Sequence, residues 1–263
     1  MTMNKIFFLA MFVAATVMGK ARGELIVGDI QIIGYRADAD DALSFVTWAN
    51  ISAGSSLHFT DSGFFSDGTY RSSENIMSWT ATSAVSAGSV IRITSPDAGA
   101  TVNSGSVTGA LNGLAAGGDQ IFIGRGAAFV NNNDTTAPGS TYTGTLLYGF
   151  DFNGNNTTWD ATATSSSTSA LPSALNVAFG NMAVTHIDNG QYTGARTGLT
   201  VDQFKAAIAD SSNWTFNDDG LAFGVLNTGG FTAVPEPTSM VLVGLVGMAG
   251  VAVRARRRLG KKA

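Results

Sequence analysis

Apolar residues recur at every second position along this chain, in short runs that end at glycine-containing turns. Ile26, Gly28, Ile30 and Ile32 share one face of a first strand, with Val27 and Ile33 on the other. From Ala42 to Trp48, Leu43, Phe45 and Thr47 oppose Val46 and Trp48; Leu57 and Phe59 then alternate with Ser56, His58 and Thr60. Val90–Thr94, Gln120–Ile123 and Leu146–Phe150 continue the series. Ser-Ala-Gly, Asp-Ser-Gly, Ala-Gly-Gly-Asp and Phe-Asn-Gly-Asn bound these runs. Period two with such turns predicts short half-buried strands, hence an all-β body built as a sandwich or barrel. We take it as a β-sandwich-like single domain over residues 24–233.

One helix interrupts the pattern. Phe204 and Ile208 are four apart within Val201–Ala209, Thr200 can cap its start, and Gln203 completes a capping box. Trp214-Thr215-Phe216 then resumes extended structure. The Ser/Thr-rich stretch 161–170 predicts a mobile loop able to accept glycans. Ile51–Thr60 and Val85–Thr94 echo each other through Ser-Ala-Gly-Ser. Two separate strand approaches with shared turn chemistry explain this more simply than duplication.

Charge and cysteine content narrow the functional classes. Between Glu24 and Ala233 six Arg/Lys face eighteen Asp/Glu, a net charge of −12, because nine of the fifteen cations sit in the two terminal segments. Such a body lacks the basic footprint that nucleic acid or anionic lipid requires. The absence of cysteine removes disulfides, thiolate nucleophiles and zinc–sulfur sites together.

The ends read as addresses. Lys5, the uncharged apolar stretch Ile6–Met18 and the small residues Gly19, Ala21 and Gly23 have the layout of a secretory signal peptide (residues 1–23). It would be cut after Gly23 or Ala21; the alternative is an uncleaved anchor. At the other end, residues 234–263 hold Val234-Pro235-Glu236-Pro237, the fourteen-residue apolar run Met240–Val253, and a cationic stop at Arg254, Arg256, Arg257 and Arg258. The run is shorter than the roughly 20 residues of a straight span, and flanking Leu259 with snorkelling cations can extend it. Cations on one side would hold that end in the cytoplasm and the body outside.

In order, spacing and position these residues resemble the PEP-CTERM sorting signal. The resemblance implies that an exosortase, a membrane enzyme, recognises Pro235, Glu236 and Pro237 and cuts near them. The body would then pass from a transient inner-membrane anchor to the cell surface or an extracellular matrix, usually in bacteria that make exopolysaccharide, a candidate partner. The body carries its own, weaker string: Gly28-Asp29-Ile30, Gly34-Tyr35, Asp40-Asp41-Ala42-Leu43-Ser44-Phe45, Ile51-Ser52-Ala53-Gly54, Phe59-Thr60-Asp61, Gly118–Phe122, Ala170-Leu171-Pro172, Tyr192-Thr193-Gly194 and Asn213-Trp214-Thr215. It resembles an uncharacterised domain of bacterial secreted proteins related to lamin-tail-like β-sandwiches, which implies fold and location but no reaction.

No chemistry-bearing motif emerges. His58 and His186 read as ordinary histidines; there is no G-x-S-x-G, no H-E-x-x-H, no P-loop, and Gly124-Arg125-Gly126 lacks the rest of a dinucleotide fingerprint. Asp38, Asp40 and Asp41 could offer oxygens to calcium, with Asp218-Asp219 adding more, although solvated loop carboxylates are the simpler reading. Trp159 is the tryptophan expected to be exposed and able to stack on a sugar, whereas Trp48 and Trp214 read as core. The expectation is an exported structural or adhesive protein without catalysis or cofactor. The alternatives are a calcium-assisted carbohydrate-binding module and a hydrolase built from scattered carboxylates.

Overall fold

The computed structural model describes residues 24–236, apart from 39, 97–98, 112, 154–157, 186 and 220–222. The expected signal peptide, His186, Pro237, the apolar run Met240–Val253 and the four stop arginines lie outside the described residues. Among those described, no helix is long and apolar enough to cross a membrane.

In chain order the strands are β1 (Ile30–Arg36), β2 (Ala42–Thr47), β3 (Ser56–Thr60), β4 (Ile76–Thr80), β5 (Val90–Thr94), β6 (Thr101–Val102), β7 (Ser106–Gly109), β8 (Gln120–Arg125), β9 (Thr145–Asp151), β10 (Asn181–Ala183), β11 (Asn189–Tyr192) and β12 (Trp214–Asn217). The helix α1 (Val201–Ala209) lies between the last two. The strands form two six-stranded sheets, ordered β12-β11-β1-β2-β5-β6 and β10-β9-β8-β3-β4-β7. Neighbours are antiparallel except β9 and β10. Aromatic rings join the facing sheets: Tyr35 to Phe150 at 5.1 Å, Phe45 to Phe59 and to Trp79 at 5.6 Å. The all-β, two-sheet expectation is met.

Alternation reads correctly where only one face is covered. On β3, Leu57 and Phe59 are buried while Ser56 and His58 are half-buried. It fails on β1 and β2, where nearly every side chain is buried, because α1 and the C-terminal segment cover the outer face of the first sheet. Phe204 of α1 stacks on Trp48 at 5.7 Å, and Trp214 donates its indole N–H to the Ile208 carbonyl at 2.8 Å. The second sheet is backed by its own cluster of Phe64, Tyr70, Phe122, Phe129, Leu146 and Leu175. The first strand starts at Ile30, not Ile26. Residues before it form a turn in which the Ile26 N–H reaches the Asp29 carboxylate at 2.9 Å, and a bulge at Ile32/Gly34 shifts the side-chain phase.

The echoed segments meet. Ile51 and Val85, the equivalent residues, exchange N–H···O bonds of 2.8 Å in both directions, and Gly54 and Gly88 both take left-handed backbone at φ +82° and +84°. Each segment is an arch between the sheets: β2 crosses to β3, and β4 crosses back to β5.

α1 spans the residues the sequence predicts, with Phe204 and Ile208 buried and both arms of the capping box formed. Replacing Thr200 by alanine removes one arm and is expected to cost about 1 kcal/mol, read as a lower melting temperature.

The Ser/Thr stretch forms a loop, as expected, and is hydrogen-bonded along its length. The Thr168 hydroxyl accepts from the backbone of Thr164 and Ser165 at 2.7 and 2.8 Å, and buried Ser169 accepts from the Phe64 N–H at 2.8 Å. The Thr168 bonds tighten the loop locally, and the long-range Phe64–Ser169 bond ties it to the cluster that backs the second sheet.

Candidate functional site: a pinned tether and a buried acidic cluster

After β12 the chain returns across the first sheet as a strap. Phe231 is buried against Trp48 at 5.2 Å, Phe204 at 5.3 Å and Tyr192 at 5.9 Å, with the Arg196 guanidinium 4.7 Å from its ring centre. Backbone bonds continue the attachment: Phe231 N–H to the Gly88 carbonyl at 2.8 Å, Thr232 N–H to Arg196 and Val234 N–H to Leu199, each 2.9 Å. Gly88 is required here, since a Cβ at this position would collide with the Phe231 carbonyl. Ala233–Glu236 are exposed. Pro235 has no N–H and a fixed φ, so the chain leaves the body as a presented, extended peptide. Of the predicted sorting residues, Pro235 and Glu236 are thus accessible at the point of exit, while Pro237 lies beyond the described residues.

A second feature escaped the sequence reading. Thr60 pairs with Phe122 on one side and Ile76 on the other. The chain just past β3 therefore comes level with the starts of β8 and β4, and Asp61, Asp119, Gln120 and Glu74 gather at one end of the second sheet. All are buried. Asp119 accepts from the Gln120 N–H at 2.8 Å, the Ala115 N–H at 3.0 Å and the Gln120 amide at 3.0 Å. The same amide nitrogen donates to the Asp61 and Ser166 carbonyls. Glu74 Oε2, Gln120 Oε1 and Ser62 Oγ have no hydrogen-bond partner.

Burial and mutual repulsion dominate the electrostatics. Burial, then Asp61, pushes the Glu74 carboxyl up to about 8 against the opposing pull of Arg71. Burial, then Asp61 and Glu74, holds Asp119 well above the usual carboxylate range despite its donors. At the end of neighbouring β9, burial with help from Asp160 lifts Asp151 to about 7, opposed by the Asn153 N–H. These shifts favour the protonated forms, which is how buried acids avoid the cost of an unpaired charge, with Asp151 near its midpoint at neutrality.

The calcium candidates are spread out. Asp40 is exposed and lies 3.8 Å from Arg36, Asp38 N–H reaches Asn189 at 3.5 Å, and buried Asp41 accepts from the Leu114 N–H at 2.6 Å. Asp218 faces the buried Tyr35 hydroxyl, which burial, Asp188 and Asp218 all push upward. Among the described residues, no three His, Cys, Asp or Glu side chains are grouped to hold a metal ion. Trp159, expected to be exposed, is half-buried. Its ring packs on Phe122 at 5.4 Å and its N–H meets Asn181 at 3.2 Å. His58 bonds Ser78 at 2.8 Å, and partial burial lowers its pKa. Two surface grooves, of about 390 and 260 Å3, lie away from the acidic cluster, one along Val85–Ile91 and Gly230, the other around Asn50, Ser52 and Arg125.

Residues 233–258 match the family model of the PEP-CTERM protein-sorting motif. No curated protein and no solved structure matches the chain significantly, so the lamin-tail likeness of the body rests on its sequence string alone.

Proposed function

We propose that this protein is a structural or adhesive component of the cell surface or extracellular matrix, delivered by exosortase processing at Pro235-Glu236-Pro237. The observation that carries the reading is positional. The sorting motif begins at residue 233, where the last backbone bond to the body, from Val234, is made. A sorting motif of this kind marks an exported, envelope-sorted substrate. Cutting after the strap would release a body that keeps its whole core, Phe231 included. The body's remaining features suit a passive role: strong negative charge, a first sheet covered on both faces, and carboxyls buried rather than displayed in a cleft.

Replacing Pro235-Glu236-Pro237 by three alanines is expected to leave the full-length chain in the membrane fraction. Intact-mass analysis of the surface fraction should then find no processed body. A processed product of normal mass from that variant would overturn the proposal.

A further inference from the structure

The strap leaves the tether no slack. Upstream, Val234, Thr232 and Phe231 are each tied to the body through their backbone N–H groups. Downstream, the apolar run begins at Met240. Six residues at 3.3–3.6 Å each span at most about 20 Å. An enzyme that seats a peptide in extended form takes main-chain hydrogen bonds from several residues on each side of the cut. Pro235 and Pro237 offer carbonyl acceptors but no N–H, so apart from Glu236 the nearest upstream donors are the N–H groups of Val234 and its predecessors. Those of Val234 and Thr232 are already committed to Leu199 and Arg196.

We propose that residues 231–234 form a latch which must peel from the body before the sorting enzyme can seat the motif, with Arg196 as its clasp. The inference rests on the sorting function proposed above and adds a regulatory contact to it. Arg196 holds the strap in three ways: its guanidinium lies over the Phe231 ring, the same group donates to the Gly229 carbonyl, and its own carbonyl receives the Thr232 N–H. The side chain is only half-buried, so removing it weakens the latch while leaving the sheets untouched. In the latched state the enzyme meets a peptide one residue from a folded wall. In the open state it gains four residues, roughly 13 Å of extended chain. Processing speed would therefore follow the population of the open latch.

The test is pulse-chase measurement of processing in cells carrying the full chain, with three variants. A six-residue Gly/Ser insertion between Val234 and Pro235 supplies slack without disturbing the body, and Arg196→Ala opens the clasp. Each is expected to speed appearance of the processed body several-fold; for Arg196→Ala, loss of a half-buried cation–ring contact of about 1 kcal/mol corresponds to roughly fivefold. Arg196→Lys, which keeps the charge but not the planar fork, should fall between. Should Arg196→Ala prove unstable, the insertion decides alone. Unchanged or slower processing of the insertion variant would overturn the latch. The triple-alanine motif variant separates the two ideas. If it is retained while the insertion has no effect, sorting stands and the latch falls; if it is processed normally, the sorting function itself falls.

Discussion

The thermal stability of the exported body is expected to fall as pH rises from about 4 to about 8, the reverse of ordinary acid denaturation. In the folded body Glu74 and Asp151 titrate at about 8 and about 7, and Asp119 is displaced the same way. In the unfolded chain all three ionise near the ordinary carboxylate value of about 4. Below that value both states are protonated and the full stability is present. Above it the unfolded chain sheds protons that the folded one retains, so each step in pH favours unfolding until the folded groups ionise too. Asp151 is almost wholly buried and alone corresponds to something on the order of 4 kcal/mol across its window from about 4 to about 7. Glu74 extends the decline to about 8. Asp67 and Asp210, held low by hydrogen bonds from Thr69 and Ser212, act in the opposite sense and set the acid limb below pH 4. Calorimetry from pH 3 to 9 should find the highest melting temperature near pH 4 to 5. Glu74→Gln should flatten the curve from about pH 4.5 to about 8 and, unlike Asp151→Asn, above pH 7. Asp151→Asn, which keeps an acceptor for the Asn153 N–H, should flatten it between pH 4 and 7. A melting temperature that is level or rises over this range would sink the argument.

Why the sequence reveals the tether and conceals these acids is a matter of range. Pro235 and Glu236 act as a linear address, and their meaning is complete within a few residues. The capping box of α1 is legible for the same reason, since Thr200 and Gln203 satisfy each other across one turn. Asp61, Glu74 and Asp119 each read as polar residues beside a turn. Only the placement of β8 beside β3, more than fifty residues away in sequence, drives them together. Strand β4 was missed because Ser78 and polar neighbours dilute a run whose weight rests on Met77 and Trp79. β1 was placed too early because its bulge and its doubly covered faces erase the period on which the reading depends. Trp159 misled in the other direction. Its neighbours are polar, yet Phe122 on the outer face of the second sheet offers it a partner.

Trp79→Ala is expected to cost about 3–5 kcal/mol, the range for emptying a large aromatic site in a packed core. Trp79 is fully buried near the end of β4, edge-on to Phe45 of the opposite sheet, and its indole N–H donates to the Ser104 carbonyl at 2.7 Å. That bond closes the turn before β7, where Gly105 lies so near the indole that any Cβ would collide with it. Truncation therefore opens a cavity between the sheets and removes the donor to the Ser104 carbonyl in one step. Trp79→Phe separates the two losses: it keeps much of the ring contact and forfeits the hydrogen bond, for about 1–2 kcal/mol. Hydrogen exchange should place the damage first at β7, the edge strand that depends on this turn, in both variants. A chain without cysteine has no covalent crosslink to absorb such a loss, and 3–5 kcal/mol is a large share of the 5–15 kcal/mol typical of a folded domain. The alanine variant should consequently reach the surface in sharply reduced amount, whereas the phenylalanine variant should be sorted almost normally. Equal stability of the two, measured by denaturant unfolding, would show that the ring contact between the sheets carries little of the fold.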